Sequence, residues 1–457
     1  MTPDPVPRGY HSPMPRRLAR LVAVLALLAV QSCAPGPEPL PVREPPRPTE
    51  RHAGAVTGPP LASINTEPTL RVRVARGERV LSLQPVDRGD DVWLSPGGPV
   101  GGGAQRFTPP VTVTSTGEAF RVEAADGRSG TWTIAALHAG AESDLKITTA
   151  GDAAYPGTVQ LHHAPGGIDA INHVPLETYL PGVLDRELYP NWRRQAFEAQ
   201  AVAARSYALF EMSQSRRNGR RYDLESTTAS QVYGGTSTNP TARAAVASTR
   251  GRVLAYDGRV VPAFYSSTTG GRGQDAAAVF TRIADIPPLR GRSRDTWGSI
   301  SPHWTWGPIR RDLDTLARRL AAWGEANDHP VANLRGIRGL AVTARSRAGR
   351  PAAFRVTDTA GTSYTLRSEQ FRFACNFATD GSAALNLPPL ERDQRVMSSD
   401  LRFEPAPGGD AVVITGRGWG HGVGLGQWGA QHLATRGYDA RAILAYYYPD
   451  AAVVRLY

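Results

Sequence analysis

Two carboxylates stand two residues apart in the stretch DRELYPNW, at positions 185–192. At this spacing Asp185 and Glu187 cannot share one face of a helix, so at most one of them points into a given groove. The residues that follow Glu187 are mainly aromatic, apolar or proline, which puts apolar surface beside its carboxyl. Such surface disfavours the ionised form and raises the pKa, which suits a general acid near neutral pH. The alternative is an exposed acid at the end of a helix.

Arg205 is a second candidate, because it interrupts the alanine-rich run AVAARSYAL. An arginine on an alanine-lined face needs a partner, since an unpaired buried guanidinium is costly. A carboxylate of the protein or of a ligand would satisfy Arg205. The alternative is an exposed arginine at the edge of a helix.

A glycine-rich segment near the C-terminus is the third candidate, with seven glycines between positions 416 and 429. Glycines at this density exclude a regular element and leave Trp419, His421, Gln427 and Trp428 on a loop. Flat aromatic faces together with amide and imidazole groups suit a groove that binds pyranose rings. The segment does not match a dinucleotide fingerprint, because no acidic ribose partner follows it in a βαβ unit.

The elements that must position these candidates are strands followed by a mixture of helices and strands. Alternation of apolar and polar residues predicts strands from about Thr69 to about position 165. Helical composition follows, first near Pro181, where a first turn tolerates proline, and then from Trp192 to about Met212. The fold class is therefore predicted to be α+β, with a β-rich N-terminal domain before a mixed α/β domain that holds a substrate groove.

Later elements and one helix face can also be predicted. Phe197, Ala201, Ala204 and Ala208 share one face of the second helix, which indicates close packing and burial on several sides. Further strands and helices are predicted at the following positions: strands within 251–267, 338–346, 351–358 and 411–418, and helices over 312–324 and 429–437.

The N-terminus has the pattern of an export signal. Arginines precede the apolar run Leu21–Val30, and a run of about ten residues is too short for a bilayer, which needs about 20. The stretch AVQSC resembles a bacterial lipobox, so Cys33 is predicted to be the lipidated end of an exported lipoprotein anchored in the membrane and facing the cell wall or periplasm. Plain secretion is the alternative. The predicted divisions are a signal peptide at 1–33, a tether at 34–68, a β-rich domain at 69–165 and a second domain at 166–457.

Composition narrows the possible partners. Nine prolines fall between positions 34 and 60, which supports a disordered tether. The chain has 52 Lys plus Arg against 41 Asp plus Glu, a net charge of +11, so anionic partners are plausible, although no nucleic-acid motif occurs. The two cysteines suggest neither a disulfide framework nor a metal site, and Cys375 is predicted to be a small buried residue.

Five motifs in order, among them VPLETYLPGVLDRELYPNW, SQVYGG and GRGWGHGVGLGQWGAQ, resemble the family of stage II sporulation protein D and the LytB amidase enhancer over about 170–457. The resemblance implies a peptidoglycan lytic transglycosylase that cleaves the bond between N-acetylmuramic acid and N-acetylglucosamine, preferably in strands without stem peptides. It also implies that Glu187 is the catalytic acid, although Leu188 replaces the usual methionine, and that Arg205 lies near the active site. The groove residues it implies are Ser230, Gln231, Tyr233, Ser267, Gly270, Gly271, His421 and Gln427.

Metal-binding members of that family carry histidine and cysteine in one motif, whereas this chain has Ser266 at the histidine position and no cysteine nearby. Neither a metal nor another cofactor is therefore expected. The expected mechanism uses Glu187 alone, first as acid and then as base, while the C6 hydroxyl of the muramic acid attacks C1. Arg205 would orient Glu187 or bind the lactyl carboxylate. A hydrolase would need a second carboxylate, for which Asp185 and Glu177 are the candidates.

Two functions from other classes remain open at this point. The chain could be a glycan-binding module without turnover that enhances a partner amidase of the cell wall. It could also be a structural lipoprotein that binds the wall. A tethered lipid anchor would suit the first role as well as it suits an enzyme, because both need reach into the wall.

Overall fold

The structure, a computed structural model, describes residues 57–98, 103–148, 153–379 and 387–457. The predicted signal peptide, Cys33 and most of the predicted tether lie outside these ranges. Within them, no helix combines the length and the apolar character needed to cross a membrane.

The N-terminal part consists of strands, as the alternating pattern predicts. In the first strand Leu70, Val72 and Val74 are buried between more exposed neighbours. The strands β1 to β12 are Thr69–Glu78, Val80–Pro85, Val92–Ser95, Gln105–Phe107, Val111–Ser115, Phe120–Ala124, Ser129–Trp132, Ala136–Gly140, Leu145–Ile147, Ala154–Tyr155, Thr158–Ala164 and Gly167–Pro175.

The remaining elements mix helices with short sheets, which confirms the α+β class. The strands β13 to β24 are Leu224–Glu225, Arg252–Tyr256, Arg259–Val260, Tyr265–Ser266, Thr305–Asp312, Gly339–Arg345, Pro351–Thr357, Ser363–Arg367, Leu401–Pro405, Ala411–Arg417, Leu425–Gly426 and Ala452–Arg455. The helices α1 to α8 are Leu176–Glu187, Arg194–Arg217, Pro240–Ser248, Ala276–Val279, Leu313–Ala326, Ser368–Cys375, Gln427–Thr435 and Ala440–Tyr447.

Two large sheets form the β-rich part. One has the order β13-β1-β12-β11-β8-β3-β4, in which β13 is parallel to β1, and the other has the order β10-β9-β2-β5-β6-β7. Four small sheets follow, with the orders β15-β14-β24, β16-β23, β17-β22-β21 and β18-β19-β20. The predicted later strands and helices are all present, with shifts of a few residues at their ends.

The predicted boundary at position 165 falls inside a hairpin. Strands β11 and β12 pair from Thr158 opposite His173 to Ala164 opposite Gly167. Strand β12 also pairs along β1 and runs to Pro175, directly before the first helix. The β-rich part therefore extends ten residues beyond the predicted boundary, because a turn between paired strands was read as a domain end.

The last part of the predicted tether is packed against the protein. The backbone N–H of Leu61 donates to the carbonyl of Gly258 at 3.0 Å, and Val260 N–H donates to the Pro59 carbonyl at 3.0 Å. Ile64 is buried in the main core. Residues 57–68 therefore belong to the folded part, since these contacts are long-range and invisible in local composition.

Helix α1 begins at Leu176, so the predicted start at Pro181 is wrong. Pro181 lies inside the helix, and Pro175 is the N-cap residue. The N–H that proline lacks would have bonded to the carbonyl of Glu177, so this turn forms without one backbone bond. In α2 the predicted small-residue face is buried, as are nearly all positions from Ala196 to Phe210. Burial on several sides is thus confirmed.

Two hydrophobic cores organise the described residues. The larger one joins the β-rich part to helices α1 to α3, α7 and α8. The second core lies among strands β17 to β22 and helices α5 and α6, which we call the outer subdomain, residues 305–417. Cys375 is fully buried in this second core, and burial raises the pKa of its thiol to about 12.

Candidate functional site

Glu187 is the last residue of α1, and its carboxyl is held by two N–H donors. Oε1 accepts a hydrogen bond from the backbone N–H of Val232 at 3.2 Å, and Oε2 accepts one from Nε2 of Gln427 at 3.0 Å. Burial raises the pKa of Glu187, and the two hydrogen bonds oppose this only in part. The side chain is half-buried. A raised pKa makes this carboxyl better suited to hold and donate a proton than an ordinary surface carboxylate.

The glycine-rich segment reaches Glu187 through a short parallel sheet. Strand β23 pairs with β16, so that Leu425 lies opposite Tyr265 and Gly426 opposite Ser266. Gln427 follows at once as the first residue of α7, which carries its amide across 240 positions of sequence to Glu187. Gln427 was predicted to bind substrate, but in this structure its side chain contacts the acid instead.

Two tyrosines interact electrostatically with the Glu187 carboxyl, Tyr207 from α2 and Tyr265 from β16. Burial raises the pKa of both hydroxyls. The charge and hydrogen bond of Glu211 raise the pKa of Tyr207 further, with a smaller contribution from Glu187, whereas Glu187 is the largest contributor after burial at Tyr265. Burial also raises the pKa of the Glu211 carboxyl. Sequence reasoning missed these three residues, because nothing local distinguishes them from ordinary helix and strand positions.

An aromatic cluster lies next to the Glu187–Gln427 contact. The ring of Trp428 is 5.5 Å from Tyr189 and 5.0 Å from Trp192, and the Tyr189 and Trp192 rings are 5.4 Å apart. Tyr189 is 48% exposed, so one of these rings faces solvent. The cluster offers an aromatic platform of the kind that sugar rings contact. Sequence reasoning noted apolar surface after Glu187 but named only Trp428 as a binding residue.

The same two tyrosines belong to a cleft of about 1370 Å³. Tyr207 and Tyr265 line it, as do Ser230, Trp419 and His421. Glu187, Gln427 and Trp428 do not line it. The predicted groove residues therefore separate into a group at the acid and a group in the cleft.

Trp419 and His421 contribute differently to the cleft. The guanidinium of Arg392 lies 4.7 Å from the centre of the Trp419 ring, so that ring is partly covered. Nδ1 of His421 accepts a hydrogen bond from the backbone N–H of Val423 at 3.0 Å. Burial lowers the pKa of His421 to about 4, which leaves the imidazole neutral at physiological pH.

Arg205 pairs with Glu177, at the opposite end of α1 from Glu187. Its Nε lies 2.9 Å from Oε1 and its Nη2 2.7 Å from Oε2 of Glu177, and Nη1 donates to the carbonyl of Arg252 at 3.0 Å. Arg205 is fully buried, and within the described residues it forms no hydrogen bond with Glu187. The expectation that it orients Glu187 or binds substrate is not met. Its partner is a carboxylate, as the sequence predicted, but a structural one.

Glu177 is itself tied to several elements. It also accepts hydrogen bonds from the backbone N–H of Gly251 at 3.1 Å and from the hydroxyl of Tyr457 at 2.8 Å. Burial alone would raise its pKa, but the hydrogen bonds and charge of Arg205 outweigh burial and lower it. Asp185, the other candidate second carboxylate, accepts hydrogen bonds from Ser237 and Asn239, each at 3.1 Å.

Two other residues that were predicted to lie in the groove form hydrogen bonds within the protein instead. Gln231 accepts from the hydroxyl of Tyr179 at 3.2 Å and donates to the Ala204 carbonyl at 3.2 Å. Tyr233 is buried and donates to Asn172 at 3.2 Å. Both therefore hold the segment that presents the Val232 N–H to Glu187.

The remaining predicted residues hold the glycine-rich segment in place. The carbonyl of Ser267 accepts from the N–H of Trp428 at 3.0 Å. Gly270 has φ +70°, and a Cβ there would lie 2.4 Å from the backbone nitrogen of Gly418. Gly271 has φ +112° and forms a bridge with Asp295. These close approaches require glycine.

Ser266 faces Gly420. A Cβ on Gly420 would lie 2.8 Å from the Ser266 Cβ, so this close approach requires glycine at position 420. Among the residues that the structure describes, no three or more His, Cys, Asp or Glu side chains are grouped so as to hold a metal ion.

Similarity to known proteins is concentrated in the part that holds Glu187. Residues 164–256 match the family model described as stage II sporulation protein. The chain is 28% identical over 294 residues to the amidase enhancer of Bacillus subtilis, covering 60% of this chain but only 40% of that protein. It is 26% identical over 298 residues to stage II sporulation protein D of Bacillus subtilis, covering 62% of this chain and 76% of that protein.

A further relative is stage II sporulation protein D of Bacillus amyloliquefaciens, 28% identical over 303 residues, which cover 61% of this chain and 74% of that protein. The family-model match contains Glu187. Over part of its length the chain is therefore similar to stage II sporulation protein D and to the amidase enhancer.

Proposed function

We propose that the chain is a peptidoglycan lytic transglycosylase that remodels the cell wall. The observation that carries the proposal is the Glu187 carboxyl, which is half-buried, has a raised pKa and is held by amide donors, with no cation paired to it among the described residues. This state suits a group that must act first as acid and then as base.

In the proposed mechanism protonated Glu187 gives its proton to the oxygen that links N-acetylmuramic acid to N-acetylglucosamine. The bond from that oxygen to C1 of the muramic acid breaks, and the glucosamine leaves with a free hydroxyl. The C6 hydroxyl of the muramic acid then attacks C1, and its proton passes to the Glu187 carboxylate. The product is a 1,6-anhydro end, no water is consumed, and Glu187 returns to its protonated form.

This mechanism is favoured over hydrolysis because Glu177 and Asp185, the carboxylates predicted as possible second acids, already have partners within the protein. Hydrolysis ordinarily uses two carboxylates about 5–10 Å apart. Glu177 is paired with Arg205, and Asp185 is held by Ser237 and Asn239. A substrate that supplies its own nucleophile removes the need for the second carboxylate. If the enzyme is a hydrolase instead, Glu211 beside Tyr207 is the best placed alternative.

The test is product analysis on glycan strands stripped of stem peptides. We expect the purified protein to release fragments with anhydro ends, identified by mass spectrometry, and Glu187→Gln to release almost none. Glu198→Gln is the matched control, because this glutamate forms a surface pair with Arg194 on α2. Wild-type turnover by Glu187→Gln would overturn the assignment of the acid. Reducing ends in place of anhydro ends would show hydrolysis and direct mutagenesis to Glu211.

A second candidate function is a glycan-binding enhancer of an N-acetylmuramoyl-L-alanine amidase. The similarity to a protein named amidase enhancer favours it, and the exposed Tyr189 in the aromatic cluster would provide glycan contact without turnover. In this case the isolated protein would release no glycan fragments. It would stimulate an added amidase, and Glu187→Gln would stimulate it equally, because no proton transfer is involved.

Location in the cell wall is part of the proposal. We propose that the chain is exported and anchored by a lipid on Cys33, as the lipobox-like stretch indicates. Cys33→Ala should move the protein from the membrane fraction to the soluble exported fraction. An unchanged membrane fraction would contradict lipid anchoring.

A further inference from the structure

The 1370 Å³ cleft carries an excess of positive charge that the mechanism does not use. Residues of the outer subdomain line part of it, and Tyr207 and Tyr265 line another part. Four arginines and two glutamates line the cleft: Arg367, Arg372, Arg392, Arg395, Glu369 and Glu391. Arg372 is neutralised, because its Nε lies 2.6 Å from Oε2 of the buried Glu369.

The other three arginines have no carboxylate partner among the described residues. Nη2 of Arg367 donates to the Ala277 carbonyl at 2.7 Å, and Nε of Arg395 donates to the Leu390 carbonyl at 2.8 Å. Each of these contacts fixes a guanidinium without an ion pair and leaves other N–H groups to bind an anion. Glu391 also lines the cleft without an ion pair among the described residues, so three arginines against this one carboxylate leave an excess of positive charge.

Arg392 is the most strongly positioned of the three. Its Nη2 lies 2.7 Å from Nε2 of His303, and its guanidinium stacks over Trp419. Burial and the charge of Arg392 both lower the pKa of His303, so a neutral imidazole accepts this hydrogen bond. A guanidinium stacked on an aromatic ring and held by one nitrogen presents its remaining N–H groups in a fixed plane, which matches a carboxylate.

We propose that this cleft binds the carboxylates of peptidoglycan beside the acid site. The proposal rests on the proposed function for the substrate class and adds a charge-recognition site formed by the outer subdomain. Two contacts connect it to Glu187. Ser230 lines the cleft two residues before Val232, whose N–H donates to that carboxyl, and Tyr265 lines it from β16, the strand that pairs with β23 directly before Gln427. Two sources supply the same chemistry, the lactyl group of each muramic acid and the acidic residues of stem peptides.

The test measures binding in Glu187→Gln protein, so that turnover does not interfere. The probes are stripped glycan, glycan that bears peptides, free stem peptide and a chitin oligomer of equal length, which has no carboxylate. Arg392→Ala/Arg395→Ala should weaken binding of the carboxylate-bearing probes roughly tenfold to a hundredfold, as expected for lost hydrogen bonds between charged groups. Binding of the chitin oligomer should be unchanged, and salt should weaken only the charged probes.

The control variant Arg338→Ala/Arg355→Ala removes the same charge from exposed positions of the outer subdomain that do not line the cleft. We expect it to bind every probe like the parent. A loss on stripped glycan identifies the lactyl carboxylate as the ligand, and a loss confined to peptide-bearing probes identifies the stem peptide. Unchanged binding of all charged probes, or an equal loss on the chitin oligomer, would overturn the proposal. Because binding and not turnover is measured, these outcomes are independent of whether the protein is a transglycosylase.

Discussion

Helix α1 carries a glutamate at each end, and the two have opposite properties. Glu177, in the first turn, is paired with the buried guanidinium of Arg205, and its pKa is lowered. Glu187, the last residue, is held by the amide of Gln427 and the N–H of Val232, and its pKa is raised. Burial acts on both carboxyls in the same direction, so the difference comes from the partners.

The comparison separates a structural acid from a candidate catalytic one. A cation fixes Glu177 in its ionised form and ties α1 to α2, β14 and the C-terminal tyrosine. Neutral donors position Glu187 and favour its ionised form too weakly to offset burial, so its pKa stays raised. A charged residue near a predicted active site can therefore be assigned a structural or a catalytic role only when its partner is known.

The largest expected effect is on turnover. Glu187→Gln should lower the release of anhydro fragments by roughly 10²–10⁴-fold, the range for loss of a general acid and base. Glu177→Gln should leave the turnover of folded protein close to wild type, because this carboxyl is turned to Arg205. Equal losses in the two variants, measured on the same stripped glycan, would break the distinction between the two acids.

The next effect is on stability. Arg205→Met leaves Glu177 largely buried without a cation and should cost about 3–5 kcal/mol in the free energy of unfolding, measured with urea. The double variant Glu177→Leu/Arg205→Met should be less destabilised than the single one, because it leaves no unpaired charge. If Arg205→Met lowers the free energy of unfolding only slightly, or if the folded variant loses most of its turnover, Arg205 would have to be assigned to the active site.

A smaller effect is expected at Gln427. Gln427→Leu removes a donor that favours the ionised form of Glu187, so the pKa of Glu187 should rise further and the pH optimum of turnover should move upward. Turnover should fall by roughly tenfold or more, since a hydrogen bond to a charged group contributes about 1.5–3 kcal/mol. Gln431→Leu, on the same helix, is the control and should leave the pH profile in place. An unshifted optimum in Gln427→Leu would show that Gln427 does not tune the acid.

The smallest effect is the pH dependence of stability, which should differ in sign between the two acids. The pKa of Glu177 is lower in the folded state, so its contribution is present above the unfolded value of about 4.3 and is lost as pH falls through the folded pKa. The pKa of Glu187 is higher in the folded state, so its contribution is present below about 4.3 and is lost as pH rises through the folded pKa.

Melting temperatures between about pH 3 and about pH 8 can show this difference. The deficit of Glu177→Gln relative to wild type should shrink as the solution is acidified. Glu187→Gln should improve relative to wild type as pH rises. Parallel curves for the two variants would contradict the assigned directions of the pKa shifts.

Local patterns in the sequence were enough to predict most of the elements. Alternation predicted the β-rich part, and composition predicted α2, because both signals act over a few residues. The predictions were wrong where one local sequence pattern is compatible with two different structures. Pro181 was read as a helix start but lies inside α1, and the turn near position 165 was read as a domain end but closes a hairpin.

For the candidate site, too, part could be predicted from the sequence and part could not. The sequence showed that Glu187 has apolar neighbours, that Arg205 needs an acidic partner, and that the segment around Gln427 cannot be a regular element over its glycine-rich length. The last of these predictions is wrong at both ends of the segment, because β22 runs to Arg417, β23 is Leu425–Gly426 and α7 begins at Gln427, so that Gln427 and Trp428 lie on a helix. The other two conclusions follow from residue type and near neighbours alone. They identify groups that can do chemistry without identifying what each group meets.

Only the tertiary structure decided the partners. In the structure Arg205 pairs with Glu177, and Gln427 contacts Glu187 although 240 positions separate them in the sequence. Separate segments of the chain form the arginine-lined cleft. The physical reason is that a pKa, an ion pair and a cleft depend on distances between residues remote in the chain. Those distances are set by the packing of strands and helices, and no local pattern records them.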